Sequence, residues 1–221
     1  MEVKSVCQIF ICLVMLLGCS SKYIEKRSDP IILLSLVKSS IFQKKVLPID
    51  VRKLVTREIV EEAGDPIIFV ELEDGRNATL SLFPGENELP VWLGVDGSTI
   101  TAKNGVLIST RGMGDDLMHS EYEKTFWGLS NPGKQYAKKY TYLVEDNQLV
   151  SKYFNCSFNL DEKSSVIKIF DRDFSVSMRV ETCTGQNTDF KNRYWIETDG
   201  TVRRSTQFHS NNVGQVLLEI L

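Results

Sequence analysis

Residues 108–120 read ISTRGMGDDLMHS, and the stretch from Gly112 to His119 holds two glycines, two adjacent aspartates and a histidine. Gly112 and Gly114 would let a backbone curl around a phosphate. Asp115, Asp116 and His119 would hold a divalent metal, or act as acid and base. The structural alternative is a turn between two strands. Each chemistry asks for more than the segment supplies. A dinucleotide loop needs a third glycine and a following helix. A zinc centre needs several His or Cys ligands. A serine triad needs nucleophile, base and orienting acid together, and no Gly-x-Ser-x-Gly elbow is present. The only two histidines, His119 and His209, lie far apart in the chain. No carboxylate pair stands out from the solvated surface to cleave a glycoside. The segment reads better as a strand exit. Two flexible positions break the pairing, and Asp115 caps a turn or helix that begins DLMHSEYEK. Arg111, Asp115 and Asp116 then become contacts for a partner or a glycan rather than catalysts.

The elements that must carry this segment are strands. Asp74-Gly75, Asp96-Gly97, Asn104-Gly105 and Asp199-Gly200 each separate short runs rich in Val, Ile, Thr and aromatics. Such dipeptides favour type I′ hairpin turns, whose central positions need positive φ. Further strands are expected at YTYLVED, SKYFNCSFNL, SVIKIFD, FSVSMRVETC, RYWIET, VRRSTQF and VGQVLLEIL. The expected fold is mainly β, a large antiparallel meander forming a barrel-like or sandwich domain. One or two short N-terminal helices precede it. Asp29-Pro30 opens one over IILLSLVKSSIFQKK, and Thr56 caps another over REIVEEAG. Trp92, Trp127 and Trp195, with Tyr136, Tyr140, Tyr142 and Tyr194, either fill the core of this domain or form stacking platforms for sugars.

The first residues fix the compartment. Lys4 precedes an apolar run, Val6 to Leu17, of about a dozen residues, short of the roughly 20 a membrane span needs. The run ends Leu16-Leu17-Gly18-Cys19, followed by Ser20-Ser21-Lys22. This resembles the bacterial lipobox, in which the cysteine thiol is acylated; the alternative is an ordinary secretory signal with a chance cysteine. Residues 1–18 are thus expected to be a lipoprotein signal peptide, 19–29 a lipidated N-terminus and polar tether, and 30–221 a single β-rich domain. Two or more acyl chains make a stable anchor, so Cys19 would hold the protein to a membrane it does not span. Ser20, in place of an aspartate, points to the outer membrane by analogy with Gram-negative lipoproteins. Of five cysteines, Cys7 and Cys12 leave with the signal and Cys19 takes lipid, so Cys156 and Cys183 remain. In an oxidising compartment this pair reads as a disulfide, the alternative being two buried thiols. Net charge is −3 with no basic block, which speaks against nucleic acid as a partner. No cofactor is implied beyond the covalent lipid.

Several stretches resemble the group 4 capsule lipoproteins of the GfcB/YjbF (YmcC) type. They are DPIIFVELEDGRNATLSL (65–82), VDGSTITAKNGVLISTRGMGDDL (95–117) and FKNRYWIETDGTVRRSTQF (190–208). The most specific parts are the double hairpin ending R-G-x-x-x-D-L and the late aromatic-DG-x-V-R-R-S segment. Trp92 stands slightly earlier than the family pattern places it. The resemblance implies an antiparallel β fold and an outer-membrane lipoprotein of polysaccharide secretion, on the periplasmic face, with an outer-membrane β-barrel or other export proteins as partners. It transfers no catalytic residues. The expected role is therefore a non-enzymatic accessory one, with Arg111, Asp115, Asp116, Trp127, Trp195 and Arg203 as glycan or partner contacts. The competing expectations are a polysaccharide-modifying enzyme using Asp115, Asp116 and His119, and a purely structural envelope protein.

Overall fold

The computed structural model describes residues 50–85 and 88–221. The expected signal peptide, Cys19, the expected tether and the helix expected after Asp29-Pro30 lie outside the described residues. Helix α1 (Arg57–Ala63) follows extended Thr56 and stops at Gly64, whose φ is +66, the left-handed stop that glycine provides without strain. Twelve strands follow: β1 (Ile67–Leu72), β2 (Asn77–Leu82), β3 (Val91–Leu93), β4 (Thr99–Lys103), β5 (Val106–Arg111), β6 (Leu117–Ser120), β7 (Gln135–Val144), β8 (Gln148–Ile169), β9 (Arg172–Gly185), β10 (Asp189–Ile196), β11 (Val202–Ser210) and β12 (Gly214–Ile220). Helix α2 (Tyr122–Ser130) lies between β6 and β7.

The strands form one antiparallel sheet ordered β5-β4-β3-β2-β1-β12-β11-β10-β9-β8-β7-β6. It curls into a nearly closed barrel, so the barrel alternative of the sequence reading holds. Two sequence expectations need correction. The two runs SKYFNCSFNL and SVIKIFD belong to a single strand, β8. DLMHSEYEK does not begin a helix: Leu117 to Ser120 form β6 first, and α2 starts at Tyr122. Leu117 is fully buried, and its strand pairs with Tyr140–Tyr142 of β7, so tertiary pairing overrides the local helical signal.

The turns also differ from expectation in kind. Only Asn104-Gly105 has positive φ at both residues, as type I′ requires. In the three Asp-Gly turns only the glycine is left-handed. There the aspartate side chain accepts the N–H two residues on: Arg76 to Asp74 at 3.1 Å, Ser98 to Asp96 at 3.0 Å, Thr201 to Asp199 at 2.8 Å. The same backbone pair closes each, as in Gly75 N to Leu72 O and Leu72 N to Arg76 O. This is a type I turn with glycine at the left-handed bulge position.

Alternation along the strands sends Ile68, Val70, Ile100, Tyr136, Tyr140, Phe154, Phe158, Phe190, Tyr194, Val216 and Leu218 into one interior core. Each such side chain stabilises the fold by about 1.5–3 kcal/mol when fully buried. Helix α2 packs Tyr122, Phe126 and Leu129 against that core. Gly128 makes the fit possible, because a Cβ there would stand 2.4 Å from the Tyr136 ring. The far part of the β8–β9 hairpin covers the outside of the sheet instead. Ile167, Ile169, Phe174 and Val176 make a second cluster there, with Phe170, Trp195 and Leu221 against it. Glu219, fully buried on this outer wall, accepts from Arg52 at 2.8 Å and from Arg204 at 2.6 Å. The Arg52 guanidinium lies 4.1 Å from the Phe69 ring centroid. Arg52 thereby pins the entering chain to the wall at β1 and β12.

Candidate functional site

The segment 108–120 is the seam of the barrel. β5 and β6 end the strand order and lie side by side, but no backbone ladder joins them among the described residues. Side chains close the gap instead. Leu117 N–H donates to Thr110 Oγ1 at 3.1 Å, Arg111 Nη1 donates to Leu117 O at 3.1 Å, and Ser120 Oγ donates to Leu107 O at 2.6 Å. Gly112 and Gly114, at φ +78 and +87, turn the chain from one strand to the other. Asp115 accepts from Asn212 Nδ2 at 2.8 Å, and the Asp116 carbonyl accepts from Leu143 N at 2.9 Å. His119 is exposed on β6. Among the described residues, the ligand atoms of Asp115, Asp116 and His119 do not converge into a group able to hold a metal. The metal reading therefore finds no assembled geometry here among the described residues.

Behind the seam lies the other histidine. His209 is fully buried, with Nε2 2.8 Å from Thr110 Oγ1. Its carbonyl accepts from the Tyr142 hydroxyl at 2.5 Å. Its Nδ1 is buried with no partner among the described residues. Burial pushes the imidazole down to about 4, with Asp115 and Asp116 opposing weakly. The folded protein therefore keeps His209 neutral while the unfolded chain takes up a proton near pH 6.5. Between those two values the unfolded state binds more protons, so stability falls as pH falls from about 6.5 to about 4, by about 3 kcal/mol. Urea unfolding between pH 7 and pH 4.5 measures this loss, and His209→Gln is expected to flatten it. The depressed turn carboxylates Asp74, Asp96 and Asp199 lose their contribution only at lower pH.

The strongest electrostatic feature sits inside the barrel. Glu181 on β9 is fully buried. It accepts from Tyr136 Oη at 2.5 Å, Asn192 Nδ2 at 2.6 Å, Lys138 Nζ at 3.1 Å and Tyr194 Oη at 3.2 Å. Burial opposes the charge on Lys138, but the Glu181 carboxylate and Tyr140 beside it more than offset this and hold the ammonium above its ordinary pKa. Burial, then the Glu181 charge, pushes Tyr136 and Tyr194 up, so both stay neutral donors. The single Tyr194 hydroxyl hydrogen lies between Glu181 Oε2 and Gln207 Oε1, each 3.2 Å from its oxygen. These side chains bond to one another inside a packed core, so the cluster orders the interior. The tyrosines at 136, 140, 142 and 194 are core residues, each at most 8% exposed.

The remaining expected contact residues scatter. Trp127 is 45% exposed on α2, edge-on to Tyr136. Trp195 lies partly buried on the outer wall, with the Arg204 guanidinium 5.8 Å from its ring. Arg203 pairs with Glu197 and lies over the Phe174 ring at 4.8 Å. Trp92 donates to the Ala102 carbonyl at 3.3 Å from within β3. Arg111 is engaged at the seam. These residues do not form one site. Cys156 and Cys183 are bridged directly across β8 and β9.

The two most specific sequence signatures meet in space. The Asn104-Gly105 turn reaches across to β11: Asn104 Nδ2 donates to Gly200 O at 2.9 Å and Val202 N donates to Asn104 Oδ1 at 3.0 Å. Ser205 Oγ and Gln207 Nε2 both donate to Gly105 O, at 2.7 and 2.8 Å. A Cβ on Gly105 would stand 2.6 Å from Val202 Cγ1. Comparison with known proteins agrees with this pattern. The crystal structure of the hypothetical lipoprotein YmcC from Escherichia coli (K12) matches with a TM-score of 0.67 at 17% identity, over 90% of this chain and 97% of that one. At that identity the likeness speaks for the fold. No curated protein sequence matches. The family model described as group 4 capsule polysaccharide lipoprotein GfcB/YjbF matches residues 38–221, and the chain belongs to that family.

Proposed function

We propose that this protein is a lipid-anchored, non-enzymatic accessory factor in the secretion or assembly of a capsule or exopolysaccharide. Membership of the capsule lipoprotein family carries this reading. In it, acyl chains on Cys19 hold the barrel at the periplasmic face of the outer membrane, where it engages export proteins or the passing polymer. Two features support a binding rather than a catalytic role. The buried ionisable groups bond to one another inside a packed core. The seam carboxylates hold the chain turn through Asn212 and the Met113 amide.

Deleting the gene in a polymer-producing strain is expected to lower surface polysaccharide. Asp116→Ala and His119→Ala are each expected to restore it from a plasmid at normal protein level. An unchanged polymer profile on deletion would sink the accessory role. Failure of both stable variants to complement would return the enzyme reading.

A further inference from the structure

We infer that the outer wall of the barrel over β7, β8 and β9 is a contact surface for an acidic polysaccharide strand. The inference rests on the polysaccharide role proposed above and gives that role a location. The cross-strand register aligns the wall in rows. Lys139 faces Tyr153; Ala137 faces Asn155, then Thr184 and Asp189; Gln135 faces Ser157, Thr182 and then Lys191; Asn159 faces Val180 and then Arg193. Outward positions of β7 from 135 to 141 and of β8 from 151 to 159 contain no carboxylate, although the chain as a whole is acidic at −3. Amides and hydroxyls predominate, and they bond to one another across the strands. Thr141 and Ser151 lie 3.3 Å apart, and Asn155 Nδ2 donates to Gln135 Oε1 at 3.4 Å.

Tyr153 stands out of this wall at 68% exposure, the most open aromatic among the described residues. Ala137, the smallest side chain on the neighbouring row, leaves one flank of its ring free. An exposed ring among amide and hydroxyl donors suits the apolar face and the hydroxyls of a sugar, and Lys139, Lys191 and Arg193, which outnumber Asp189 on this face, suit its acid groups. A stable protein interface asks instead for an apolar centre, and here the apolar pair Leu143 and Leu149 lies at the edge of the wall, beyond Thr141 and Ser151, with amides and hydroxyls at its centre. The placement fits as well. Arg52 pins the entering chain to β1 and β12, and β7 lies six strands from β1 around the barrel. The wall therefore lies across the barrel from the strands to which Arg52 is pinned.

Affinity electrophoresis of the acylated full chain in detergent tests this, in gels carrying the acidic surface polysaccharide purified from the producing strain, or neutral dextran. The acidic polymer is expected to retard the protein. Tyr153→Ala should weaken binding about tenfold, Tyr153→Trp should retain it, and Lys139→Ala with Lys191→Ala should remove its salt dependence. Melting temperatures are expected to stay unchanged, since Tyr153 is exposed. No retardation, equal retardation by dextran, or equal binding by Tyr153→Ala would each overturn the inference. In the deletion strain, full rescue by Tyr153→Ala would remove this wall and leave the accessory role standing. Normal polymer without the gene would remove the role itself.

Discussion

Replacing Glu181 with alanine is expected to bring the barrel to the edge of unfolding. The substitution leaves the Lys138 ammonium, 1% exposed, with no counter-charge. Removing one partner of a buried pair costs about 3–5 kcal/mol. Tyr136, Tyr194 and Asn192 also lose their shared acceptor, each orphaned donor adding about 1 kcal/mol or more. Against a typical domain stability of about 5–15 kcal/mol, this is a large fraction. Lys138→Met alone should cost less, because Glu181 keeps three donors. Lys138→Met combined with Glu181→Gln should recover much of the loss, since the charge and its counter-charge leave together and the amide oxygen still accepts. Urea unfolding followed by tryptophan fluorescence measures all three. If Glu181→Ala moved the midpoint no further than Glu62→Ala in exposed α1, the network would not be holding the core. The same cluster predicts alkaline sensitivity. Lys138 and the buried tyrosines 136, 140 and 194 all have raised pKa values. Their stabilising contribution is present below about pH 10 and is lost as pH rises and the unfolded chain releases protons first.

Much of the architecture was readable because its signals are local. An Asp-Gly or Asn-Gly between alternating segments marks a hairpin whatever surrounds it, and all four such turns are present. The Cys156 and Cys183 pairing followed from counting. The interior cluster was not read, although its signal was there. In YAKKYTY, residues 136–142, Lys138 shares the inward phase of Tyr136, Tyr140 and Tyr142. Glu181 shares the phase of Cys183 two residues on. A bridge joining Cys156 to Cys183 as direct neighbours places Phe158 opposite Glu181, and the next strand brings Tyr136 and Lys138 to the same face. Charged residues ordinarily face solvent, and that rule fails where two of opposite sign share the phase of a core. The seam escaped for a different reason. Whether ISTRGMGDDLMHS is an active loop or a strand crossing depends on β7 arriving beside it, a contact more than 20 residues on. Its glycines then need no ligand to explain them, because the backbone must reverse between β5 and β6.

Removing the Cys156–Cys183 bridge is expected to cost about 3–4 kcal/mol, from closure of its loop of 27 residues in the unfolded chain. The double alanine variant measures that contribution together with a small cavity cost, because both cysteines lie in the core at 1% and 0% exposure. The unfolding midpoint should fall, and the slope with urea should rise as the unfolded chain opens further. A bridge that left the midpoint unmoved on removal would mean that the β8–β9 hairpin stays formed in the unfolded state. The location adds a kinetic consequence. Both cysteines are buried in the core, and burial disfavours the thiolate that disulfide exchange requires. Once the interior closes around reduced cysteines, oxidation is therefore slow. The bridge must form while β8 and β9 are still open, which suits folding in an exported compartment that supplies oxidant at once. Reduced protein refolded before oxidant is added should form the bridge far more slowly than protein refolded in its presence. Equal rates would show that the barrel opens readily at this hairpin.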